Sequence, residues 1–187
     1  MALPKDSRRN RYDKKDSLEI GDRAENIFKR IAVSRGWELE DASEESNINE
    51  HWDFLMKKEN ESYKVDIKGM KRVRRSDQSV QDEWVWIELH GVRPYDRGWL
   101  YDGKADLISF EKMTSFVIVK RIDLIALVEK QVDLKTLVHS PGEAKYRIYN
   151  RSGRPDRITL IEMDKLNLIK WDEWAKLLSS SELSNGS

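Results

Sequence analysis

His51 to Arg72 reads HWDFLMKKENESYKVDIKGMKR. Two strand-like runs, Trp52 to Met56 and Tyr63 to Lys68, flank the polar turn KKENES, the pattern of a β-hairpin. Each run carries an aspartate, and a lysine stands two residues after the second. Alternate residues of a strand share a face. Asp66 and Lys68 therefore point one way while Val65 and Ile67 point into a core. Paired strands lie about 4.8 Å apart, so Asp53 on the first strand comes within reach of the same cation as Asp66. Two adjacent carboxylates resist joint ionisation unless positive charge lies between them. A hard divalent ion such as Mg²⁺ supplies that charge and prefers oxygen ligands, among which the carbonyl of Ile67 is a candidate. Lys68 beside such an ion is placed to orient or activate a water for attack on a phosphodiester.

The flanks support that reading. Glu38 to Asp53 holds seven carboxylates and no Lys or Arg, whereas Lys64 to Arg75 holds six basic residues and one acid, Asp66. Lys71, Arg72, Arg74 and Arg75 lie in the loop GMKRVRRSDQSVQD and are candidate phosphate contacts. Upstream, Ile20, Ala24, Ile27, Phe28 and Ile31 recur at helical spacing, with Asp16 and Glu19 as a capping box and Gly36 as the stop. Glu25 lies at the edge of that apolar stripe. Downstream, Trp84 to His90, Ala105 to Phe110 and Phe116 to Val119 read as strands, and Arg121 to Lys130 as a helix. KYRIYN and DRITLIE read as a second hairpin, and Trp171 to Leu178 as a last helix.

A helix bearing Glu25, a strand bearing Asp53 and a strand bearing Asp66-Ile67-Lys68 resemble the PD-(D/E)XK nuclease superfamily, over roughly Asp16 to His90. The resemblance implies an α/β, restriction-endonuclease-like fold: a mixed central β-sheet flanked by α-helices. It implies a catalytic set of Glu25, Asp53, Asp66 and Lys68. Asp53, Asp66 and Ile67 would hold Mg²⁺ or Mn²⁺, and the products would be a 5′-phosphate and a 3′-hydroxyl. Trp52 stands where the motif has proline. The D-x-K string itself is common, at Asp13, Asp66, Asp102, Asp133 and Glu143 with its E-x-K form. Only at Asp66 do a strand, a preceding acidic strand and a preceding helix with a glutamate coincide. The bland alternative is a solvated strand face whose Asp66–Lys68 pair contributes little.

The bulk properties suit this expectation. The chain of 187 residues has 34 basic and 34 acidic residues, and its seven Trp, six Tyr and four Phe argue against disorder. Cysteine is absent, which excludes disulfides and a thiol nucleophile. No stretch approaches the ~20 apolar residues of a membrane span. We expect a cytoplasmic protein with one nuclease domain over residues 16–178, a flexible basic arm over 1–15 and a loose tail over 179–187. The expected partner is nucleic acid, DNA before RNA, cut internally. Many superfamily members are dimers, so the resemblance extends to a homodimer, although no seam is visible in the sequence. The alternatives are a module of the same fold that binds without turnover and an RNA-acting nuclease. His51, His90 and His139 lack metal-ligand spacing.

Overall fold

The computed structural model describes residues 9–93 and 95–176, with side chains from residue 19 onward. The chain forms α1 (Arg9–Ser34), β1 (Glu38–Asp41), α2 (Glu44–Glu50), β2 (Phe54–Lys58), β3 (Glu61–Lys68) and β4 (Trp84–His90). It continues with α3 (Gly98–Tyr101), β5 (Leu107–Glu111), β6 (Ser115–Lys120), α4 (Arg121–Gln131) and β7 (Asp133–Val138). β8 (Arg147–Asn150), β9 (Arg157–Glu162), α5 (Met163–Leu166) and β10 (Lys170–Ala175) complete it.

The apolar stripe of α1 is the buried one: Ala24, Phe28, Ile31 and Ala32 are at most 1% exposed. Gly36 ends the helix at φ +83°, a conformation that only glycine adopts without strain. The start differs from expectation. α1 begins at Arg9, so Asp16 lies within the helix and does not cap it, and residues 9–15 of the expected arm are helical. No glycine or proline interrupts that stretch, so propagation continues through it. Residues 1–8 of the arm and the tail 179–187 lie outside the described residues.

Six strands form one mixed sheet in the order β1-β2-β3-β5-β6-β10. Its single parallel contact is β3 with β5, and every other neighbour is antiparallel. The hairpin β2–β3 turns on Glu59 and Asn60 alone, with Glu59 at φ +53°, a tighter turn than KKENES suggests. Trp171 to Leu178, expected as a helix, starts instead as strand β10. Tertiary packing decides it: Trp174 is 1% exposed, sits opposite Phe116 and stacks on Phe28 at 5.1 Å.

A second sheet, β4-β9-β8-β7, was not expected. It changes what covers the first. Ala24, Phe28 and Ile31 of α1 pack on Phe54, Val65, Ile67 and Leu107. On the opposite face, Ile108, Phe110, Val117 and Val119 meet Val85, Ile87 and Leu89 of β4 and Leu124 and Val128 of α4. The layers are thus helix, mixed sheet, and a second sheet with α4. Both faces of β3 are buried, so Asp66, alternating with Val65 and Ile67, is only 4% exposed. The solvated-face alternative for Asp66 is thereby overturned. Among the described residues no helix is long and apolar enough to cross a membrane.

Candidate active site

Asp53 immediately precedes β2, and its backbone is fixed on both sides. Its N–H donates to the Val65 carbonyl at 2.8 Å, and its carbonyl accepts from the Ala42 N–H at 2.8 Å. The pairing ends at Phe54 with Val65, and Asp53, one residue before it, lies close enough to Asp66 for their carboxyls to interact. The hairpin therefore brings the two aspartates together. Asp53 Oδ2 accepts from the Ile67 N–H at 2.6 Å and Oδ1 from Asn47 Nδ2 at 2.8 Å. Ile67 thus contributes its amide, while its side chain lies in the α1-side core.

Asn47 is a supporting residue that the sequence did not reveal. It belongs to α2, none of whose residues is buried, so no apolar period marks that helix. A cap was legible in principle: Ser43 Oγ accepts the Ser46 N–H at 3.1 Å, followed by Glu44 and Glu45 in the first turn.

Lys68 Nζ lies 2.6 Å from Asp66 Oδ2. That buried oxygen has this ion-pair contact and no directed hydrogen bond. The same ammonium stands over the Trp99 ring at 4.7 Å. Trp99, on α3, was also missed from sequence, because four residues carry too little periodicity to announce a helix. Gly98 makes its approach feasible: at φ +72° it packs so close to β4 that a Cβ would meet the Glu88 carbonyl at 2.8 Å.

Three carboxyls in this region bind protons more tightly than usual. Burial, followed by the charge of Asp66, pushes Asp53 up to about 7. Burial likewise raises Asp66, against the opposing pull of Lys68. Glu25 is raised to about 7, by burial first and then by the charges of Asp53 and Asp22, with Lys29 and Lys68 opposing. Glu25 therefore belongs to the same electrostatic cluster as Asp53 and Lys68. Negative charge is under-compensated here, which is the condition a bound cation relieves.

Among the described residues, no three His, Cys, Asp or Glu side chains converge into a ready metal cage. The donor set present is two neighbouring aspartates, one with a buried oxygen lacking a directed hydrogen bond. That set fits a Mg²⁺-type ion, which characteristically takes one or two protein carboxylates and keeps water or phosphate in its other positions.

Glu111, at the end of β5, is a further carboxylate that the sequence did not single out. Its side chain is fully buried, yet it is saturated. Arg23 reaches it at 2.8 Å, Lys176 at 2.7 Å and the Met70 N–H at 3.0 Å. The bond to Met70 fixes the chain two residues after Lys68.

The basic loop leaves this same edge. Lys71, Arg72, Arg74 and Arg75 are all exposed. Their backbone is held in place: Gln81 Nε2 donates to the Lys71 carbonyl at 3.0 Å, and Trp86 Nε1 to the Arg72 carbonyl at 3.0 Å. The Arg74 N–H donates to Asp77 Oδ2 at 2.7 Å. The charge of Lys71 acts on Asp66, Lys68 and Glu88, so Lys71 borders the site. Glu88 borders it too, accepting from the Trp99 N–H at 3.4 Å. His51 and His90 are occupied elsewhere, with Asp96 and the Gly91 carbonyl respectively.

Comparison with known proteins finds no matching family model, no matching curated protein and no matching solved structure. What the fold and site define is a mixed α/β domain with a carboxylate pair, Asp66 buried and Asp53 half-buried, and a lysine at one strand end.

Proposed function

We propose that this chain is a metal-dependent nuclease of PD-(D/E)XK type, hydrolysing phosphodiester bonds in DNA in preference to RNA. The observation that carries the proposal is the closeness of the Asp53 and Asp66 carboxyls at the hairpin, with Lys68 against Asp66 and Glu25 in the same field. Asp53 and Asp66 would hold the ion, with Glu25 supporting it from α1. When bound, a divalent ion polarises a phosphoryl oxygen and lowers the pKa of its water. Lys68, held between Asp66 and Trp99, orients the attacking water and faces the charge that develops on the phosphoryl group. Asn47 and the Ile67 amide keep Asp53 from turning away.

Nicking of supercoiled plasmid in Mg²⁺ tests the activity, and Lys68→Met tests its assignment. General acid–base contributions run to about 10²–10⁴-fold. The Met variant should therefore nick at least about a hundredfold more slowly while still binding Mn²⁺ in calorimetry. Nicking at the wild-type rate would remove Lys68 from the chemistry. Absence of nicking by the wild type, with DNA still bound, would leave the non-catalytic module as the reading.

A further inference from the structure

The second sheet is the part of the fold that the candidate site leaves unused. Its inner face is core, through Val85, Ile87, Leu89, Ile148 and Ile161. The outer face carries a row of partly exposed rings. Trp84 and Trp86 alternate outward along β4, and Tyr149 on β8 faces the same way through the shared partner Ile158. Trp86 and Tyr149 lie 6.0 Å apart. Trp84 has Tyr146 edge-on at 6.0 Å and Lys145 Nζ over its ring at 4.0 Å.

Cations gather at the same place. Arg151, just past β8, forms an ion pair with the buried Asp156. The charges of Arg75 and Arg154 both act on Arg151. Like charges held together in this way form a natural anion site. Lys71 links that cluster to the candidate site, because its charge acts on Asp66 and Lys68 on one side and on Glu88 and Arg151 on the other. Two acids share this face: Glu88, between Lys71 and Arg151, and Glu162, which is paired with Trp84 and accepts from the Tyr146 hydroxyl at 3.1 Å.

We propose that the outer face of the second sheet binds a single-stranded segment of nucleic acid. Bases stack on Trp84, Trp86 and Tyr149, and Arg151, Arg154 and Lys71 lead the phosphates toward Asp66. The chemistry selects an unpaired strand. Ring faces on an open sheet accept free bases of any sequence, whereas a duplex hides its base faces and offers only phosphates and edges. The link to cleavage rests on the nuclease reading, and there it names the substrate class: nucleic acid with an unpaired strand beside the cut bond.

Anisotropy of a fluorescein-labelled single strand and of a hairpin duplex, both in EDTA, measures binding without turnover. The single strand should bind more tightly and quench tryptophan emission. Trp84→Leu should weaken the single strand by at least about fivefold and leave the duplex unchanged, and Trp86→Leu, which also releases the Arg72 carbonyl of the basic loop, should weaken the single strand by more than it weakens the duplex. Lys71→Gln with Arg154→Gln should flatten the salt dependence of single-strand binding. Duplex preference, absence of quenching, or unchanged binding in folded variants of both kinds would overturn the platform. Plasmid nicking in Mg²⁺ keeps the two ideas apart. A protein that nicks while its platform variants bind as before loses only the platform. One that binds the strand here but never cleaves loses only the nuclease reading.

Discussion

Two buried carboxylates stand toward the C-terminal ends of adjacent interior strands of the mixed sheet, and they are opposites. β3 and β5 run parallel, with Asp66 beside Ile108 and Lys68 beside Phe110, so Glu111 lies three positions further along and on the opposite, α1-side face. Glu111 has Arg23, Lys176 and the Met70 amide around it. Asp66 has Lys68 as its one ion-pair contact, with the charge of Lys71 further off and the Asp53 carboxyl beside it. Burial penalises both charges, and the partners decide what each carboxylate is for. The saturated one ties α1, the chain after β3 and the residue after β10 into one knot. The less fully paired one is where we place the proposed divalent ion.

The largest effect should separate these two directly. Removing one partner of a buried ion pair typically costs 3–5 kcal/mol. Arg23 is half-exposed and recovers some hydration, so Glu111→Ala should lose about 3 kcal/mol in urea unfolding. Asp66→Asn, without metal, should lose nothing or gain up to about 1 kcal/mol, because the neutral amide no longer opposes Asp53. The same change should abolish nicking. Equal destabilisation by the two substitutions would erase the contrast and make Asp66 an ordinary structural residue.

The contrast also explains what the sequence could and could not say. Asp53, Asp66 and Lys68 were legible because hairpin alternation is a local rule, and the register Phe54 with Val65 obeys it. The stripe of α1 and its stop at Gly36 were legible for the same reason. Glu111 was not, since its meaning lies in Arg23 and Lys176, which are distant in sequence and brought together only by the fold. Trp99 and Asn47 were missed because they sit on elements too short or too exposed to show a period. Trp171 to Leu178 misled because its aromatic spacing suits a helix, while the pocket under Phe28 and Phe116 demands a strand.

A smaller effect should appear in the pH dependence. Asp53 and Glu25 hold protons up to about 7 in the folded chain, against ordinary values of 3.8 and 4.5. The folded state thus binds more protons than the unfolded state between those limits. Their contribution to stability is fully present below the ordinary values and is lost as pH rises through about 7. A divalent ion needs the deprotonated groups, so its stabilisation has the opposite slope, reaching about 2.7 kcal/mol at a hundredfold excess over Kd. Mn²⁺ should therefore raise Tm clearly at about pH 8 and little at about pH 5. Calorimetry at the higher pH should detect proton release in the wild type and no binding in Asp66→Ala. Identical Tm shifts at both pH values, or equal binding by Asp66→Ala, would place the metal elsewhere.

The smallest effect concerns the loop that leaves the strand end beside the less fully paired carboxylate. Arg72, Arg74 and Arg75 are exposed, so each contributes to duplex affinity mainly by releasing counterions, with a slope of roughly −0.9 in log K per phosphate contact. Changing all three to alanine should flatten that slope and leave Mn²⁺ binding intact, because neither aspartate is touched. The three are not equivalent. The Arg74 guanidinium lies against Gly142, on the turn before β8, and its N–H is tied to Asp77. Arg72 offers its carbonyl to Trp86 and keeps its side chain exposed. Arg72→Ala alone should therefore remove about one phosphate contact with no change in Tm, whereas Arg74→Ala should also loosen the loop. A salt slope that stays the same in the triple variant would show that the duplex does not pass over this loop, and that its arginines serve only as a solvated rim around the carboxylate pair.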